Sequence, residues 1–85
     1  MALVGYNPAM NTTLIRVDPA RHMDRSYSVT VQRTLLAPVA VVCVWGSRRS
    51  TYQRMQVHPT ATPEEARKLA EKIIQAKRRR GYVPG

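Results

Sequence analysis

The chain has 85 residues, and fourteen Lys and Arg against five Asp and Glu give it a net charge of +9. A domain of this length hides only about 60–65% of the surface its unfolded chain exposes, so one small core is expected. An apolar content of 44% argues against a disordered chain.

Eleven of the fourteen cations are arginine, whose planar fork suits phosphate and stacks on flat groups. This balance points to a polyanionic partner, nucleic acid before an anionic membrane or an acidic protein. Cys43 is the single cysteine and stands in an apolar run. An internal disulfide is thereby excluded, and no zinc set can be assembled from it and two unrelated histidines. The first residues show no basic start followed by a long apolar stretch, and the longest apolar run is too short to span a bilayer as a helix. A soluble cytoplasmic protein without metal, cofactor or membrane partner is expected.

In chain order, residues 1–12 carry Gly5, Pro8 and Asn11 with no period and read as a flexible N-terminal arm. A single domain is expected over 13–83. "TLIRVD" (13–18) is a first strand stopped by Pro19, and "PARHMDR" (19–25) reads as a turn. In "SYSVTVQR" (26–33) Tyr27, Val29 and Val31 alternate with Ser28, Thr30 and Gln32, the period of a half-buried strand. "TLLAP" connects it to "VAVVCVWG" (39–46), which is apolar on both faces as a central strand is. "SRRST" (47–51) turns into "YQRMQVH" (52–58), a strand that Pro59 should end.

The helix is the best-signalled element. Thr62 is a fit N-cap, Pro63 occupies N1, and Glu65 at N3 completes a capping box. Ala66, Leu69, Ala70, Ile73 and Ile74 form one apolar stripe, and Gly81 suits C′. The class is therefore α+β: an antiparallel sheet of about four strands with one main amphipathic α-helix packed on it.

His22 and His58 have no evident partner, Glu64 and Glu65 are used in capping, and the glycines are scattered. No nucleophile, acid–base pair or phosphate loop emerges, so neither an enzyme nor a small-molecule substrate is expected. The cations gather in two places: Arg48, Arg49 and Arg54 around the strand turn, and Lys77, Arg78, Arg79 and Arg80 at the helix end. The helix dipole accounts for one or two of the latter. The rest suit phosphate contacts that carry no sequence readout, or a solvated face. Trp45 ends the apolar strand before Gly46. It reads either as a core residue or as a stacking platform for a base or sugar, with Gly46 leaving room for a flat group.

"HMDRSYSVTVQ", "VWG" with its polar hairpin, the capped helix and the closing "KRRRGY" together resemble the WGR domain, over residues 13 to 83. WGR domains occur in the DNA-break-activated poly(ADP-ribose) polymerases and in bacterial proteins that are little more than the domain. The resemblance implies an antiparallel sheet with one main helix, a tryptophan stacking near the sugar of a terminal nucleotide, and basic residues on the backbone. In the polymerases the domain also touches neighbouring domains. Carried over residue by residue, Trp45 and Gly46 match the motif, Arg25 matches the residue near the DNA backbone, and Tyr27 matches the aromatic that follows. Ser47 stands where the motif has Arg, and Asp24 stands where it has Asn and should repel phosphate. The hairpin lacks its usual glycines, with Tyr52 in the place of one. The expected function is a nucleic-acid-binding module for DNA, with strand ends or nicks among its targets. It would use Arg25, Tyr27, Trp45, Gly46, Arg48, Arg49, Arg54 and residues 77–80. The alternative is a protein–protein adaptor without direct nucleic-acid contact.

Overall fold

A computed structural model describes residues 11–35 and 37–85; the first ten residues of the expected N-terminal arm lie outside the described residues. The strands are β1 (Asn11–Asp18), β2 (Met23–Gln32), β3 (Val39–Ser47), β4 (Arg54–Thr60) and the two-residue β5 (Val83–Pro84), with α1 spanning Pro63–Arg79. They form one antiparallel sheet in the order β4-β3-β2-β1-β5. This is the expected α+β arrangement, to which the chain end adds a short fifth strand.

The alternation read in β2 is realised: Tyr27, Val29 and Val31 are buried beneath α1. On β3 the same face carries Val39, Val41 and Cys43, all with at most 2% exposure. Their burial is the main term holding the domain together, at about 1.5–3 kcal/mol for each full-sized apolar side chain. The helix lies over β2 and β3 and touches β4. Ala66 and Ala70 are fully buried against the sheet, letting the helix approach closely, while Leu69, Ile73 and Ile74 pack at its borders.

The helix start follows its sequence signature, with one shift. The Thr62 hydroxyl accepts from the Glu65 N–H at 3.1 Å, but the Glu65 carboxylate reaches back to the N–H of Ala61, one residue before the N-cap. At the other end the Gly81 N–H donates to the Arg78 carbonyl and the Tyr82 N–H to that of Lys77, with Gly81 at φ +103°. This is a complete Schellman turn, and it requires glycine at C′.

Several expected boundaries move. β1 begins at Asn11, inside the expected arm, because Asn11 and Thr12 pair with Thr30 and Val29, and β4 begins at Arg54 rather than Tyr52, where pairing with Trp45 starts. The turn before β2 shrinks to a 3-10 segment, Pro19–Arg21, closed by His22 at φ +54°. Met23, Asp24 and Arg25 extend β2 because β1 pairs with all three, and β3 reaches the last of them, with Arg25 opposite Ser47. Pro59 does not end β4, which continues to Thr60. As a sheet edge, β4 can accommodate a residue with no N–H to give.

Candidate nucleic-acid interface

One row across the helix-bearing face sets Leu14, Tyr27, Trp45 and Arg54 side by side. Trp45 lies one pleat beyond Cys43, where the helix no longer covers the sheet fully, and it is half-buried. Its indole stacks on the Tyr27 ring with centroids 5.6 Å apart and planes 19° from parallel. Tyr82, delivered by the turn at Gly81, meets Tyr27 edge-on at 6.2 Å. The two readings of Trp45 thus merge: it packs against the core through Tyr27 and also lines a cleft. Tyr27 itself is 8% exposed and supports the platform from beneath. Burial, followed by a hydrogen bond with the Cys43 thiol, pushes its hydroxyl well above the ordinary phenol range.

The cleft holds about 330 Å³ and is lined by Arg25, Trp45, Gly46, Ser47, Ser50, Tyr52, Arg54 and Tyr82. Gly46 does not serve it as expected. A Cβ there would lie 2.8 Å from the Tyr52 carbonyl oxygen and 3.0 Å from the Gln53 amide nitrogen. The space beside Gly46 is filled by the chain's own hairpin rather than left for a ligand. Ser47, standing where the motif has Arg, is a turn residue: its hydroxyl accepts from the Arg49 N–H at 3.1 Å. The Ser50 hydroxyl likewise accepts from the Tyr52 N–H at 3.0 Å. Hydroxyl-capped turns of this kind shape a hairpin that lacks its usual glycines.

The cations divide by position. Arg48 and Arg49 turn to Asp24, with nitrogen–oxygen distances of 3.4 and 3.7 Å. Asp24 Oδ1 is buried and accepts no hydrogen bond, so the Arg48 contact is an ion pair of loose geometry. Asp24 therefore offsets two hairpin charges instead of standing alone against phosphate. Arg25 and Arg54 are exposed at the cleft.

The run at the helix end splits. Lys77 points inward, its Nζ 4.4 Å above the Tyr27 ring and 5.8 Å from that of Tyr82. The rings attract its charge, yet its pKa is lowered, first by burial and then by the charges of Arg80 and, more weakly, Arg25. Desolvation and like charge outweigh the rings here. Arg80 therefore sits near this cluster, and Arg78 is exposed. Arg79 shares an outer groove with Lys68 and Lys72 and does not join them.

Composition and spacing did not reveal Arg16, Tyr52 or Tyr82 as site residues. Arg16 sits directly opposite Arg25 on the neighbouring strand, and its Nε lies 3.2 Å from where a Gly81 Cβ would be. Like charges opposed across a ladder are destabilising, and no carboxylate among the described residues pairs with either. Arg16 could be found only once the register was known. For Tyr82 a local signal existed: it is the aromatic just past the C′ glycine, where side chains fold back on the helix. No helix among the described residues is long and apolar enough to cross a membrane.

The sequence profile of the WGR domain family matches residues 10–85. The chain is also similar to an uncharacterised protein, y4dW, of Sinorhizobium fredii (strain NBRC 101917 / NGR234). The two are 35% identical over 69 residues, which is 81% of this chain and 33% of the relative, so the chain spans about a third of that relative's length. No solved structure matches it.

Proposed function

Because the chain belongs to the WGR family, whose domains are associated with nucleic-acid binding rather than catalysis, we propose that it is a DNA-binding module with strand ends or nicks among its targets. The observation that carries this is the opposed pair Arg16 and Arg25 without a carboxylate, beside an aromatic cleft. An anion bound between the two guanidinium groups would relieve their repulsion and gain charge-assisted hydrogen bonds. Arg54 and Arg80 flank the same region, and the exposed part of Trp45 offers a stacking surface.

Trp45 is the only tryptophan, so its fluorescence reports the site directly. Titration with a nicked, 5′-phosphorylated duplex and with a closed dumbbell should show quenching that weakens as salt rises. Each phosphate contact adds about 0.9 to the slope of log K against log salt, so Arg25→Ala and Arg54→Ala should each flatten it by about one. Stronger binding to the nicked duplex supports end reading, and equal binding supports general backbone contact. Absence of binding to either at low salt overturns the proposal.

The opposite sheet face supports a second reading, protein docking. Val17, Met55, Val57 and Val83 are exposed there, and strand alternation places no Lys or Arg among them. A protein partner retained at high salt would favour it.

A further inference from the structure

The cleft has a second aromatic wall that neither composition nor family motif assigns. Tyr52 lines it together with Trp45. Tyr52 is 69% exposed, and its ring meets no aromatic ring among the described residues. Its backbone, in contrast, is held: the N–H donates to Ser50 Oγ, and the carbonyl lies against Gly46. With the backbone already ordered, only the two side-chain torsions of the ring remain to be fixed when a flat group settles on it.

The cleft between these walls is polar where a base edge would need it. The Ser47 and Ser50 hydroxyls each accept one backbone N–H, which leaves each O–H proton available to donate. Arg25 and Arg54 stand at the cleft for the adjoining phosphates. A volume of about 330 Å³ is at the small end for ligand pockets and suits one nucleoside. A base-paired, stacked residue cannot enter such a cleft, whereas an overhanging one needs little or no unstacking.

We propose that the cleft takes one unpaired nucleobase between Trp45 and Tyr52, so that the chain prefers DNA ends carrying an unpaired nucleotide over blunt ends. This rests on the nucleic-acid reading above and goes beyond sugar stacking by naming the base as the group held.

The test uses three hairpin duplexes: blunt, with a one-nucleotide overhang, and with the same overhang made abasic. Base–aromatic stacking corresponds to roughly 5- to 160-fold in affinity. The base-bearing overhang should therefore bind at least fivefold tighter than the abasic one. Within the Tyr52→Ala protein the ratio of affinities for the base-bearing and abasic overhangs should fall below about twofold, whatever its affinity for the blunt duplex, and Tyr52→Phe should retain the wild-type ratio. A 2-aminopurine placed at the overhang should be quenched by the wild-type chain and not by Tyr52→Ala. If all three duplexes bind the wild type equally, the base pocket is refuted while nucleic-acid binding stands. If none binds at low salt, both readings fall.

Discussion

Replacing Gly46 by Ala tests the geometry on which the hairpin depends. The new Cβ would lie 2.8 Å from the Tyr52 carbonyl oxygen and 3.0 and 3.2 Å from the Gln53 amide. The Gln53 side chain can swing aside, but the carbonyl is backbone, held between β4 and the hydroxyl-bonded turn. Restoring an ordinary contact with it requires the hairpin to open by several tenths of an ångström. Overpacking of this kind costs about 1–3 kcal/mol. A domain of this size loses about 4–8 °C in Tm for each kcal/mol, so Gly46→Ala should melt well below wild type. Circular dichroism melts measure this directly. Adding Gln53→Ala should restore only a minor part, since the carbonyl contact remains. A Gly46→Ala protein melting within about a degree of wild type would refute the reasoning, because the hairpin would then have to be free to move.

Two further outcomes follow from the aromatic cluster. Tyr27 keeps its proton in the folded chain beyond the point at which an unfolded tyrosine, near pH 10, loses it. Its contribution is complete below that pH and declines as pH rises above it, by about 1.4 kcal/mol at pH 11; urea unfolding of Tyr27→Phe should lack this part of the alkaline loss. Lys77 has the opposite sign: its lowered pKa means the folded surroundings disfavour the charge. Lys77→Met should therefore be at least as stable as wild type at neutral pH. The wild type should gain on it as pH rises through the lowered pKa toward the unfolded value, as denaturant midpoints would show. A Lys77→Met protein clearly less stable at neutral pH would mean that the ring contacts dominate.

Much of this protein is written locally. Thr62, Pro63 and Glu65 mark a helix start through contacts within four residues, and the stripe from Ala66 to Ile74 states which side must be covered. The alternation of Tyr27, Val29 and Val31 likewise assigns β2 its buried face, because side chains on a strand point alternately up and down. Trp45 and the chain-end cations were legible as site candidates for the same reason: strand end and helix end are local facts.

The site's composition was settled by register and packing, which no local pattern carries. Pairing β1 with β2 sets Arg16 against Arg25, and a slip of one residue would send Arg16 to the other face. The Schellman turn brings Tyr82 and Lys77 to Tyr27, while the 100° step of the helix turns Arg79 away from its neighbours. Asp24 takes Arg48 and Arg49 because an extended β2 reaches the hairpin. The chain's own residues determined an α+β domain with a large surplus of positive charge. Tertiary pairing decided which of those charges stand unopposed beside the aromatic cleft, because opposition and pairing are properties of residues far apart in the chain.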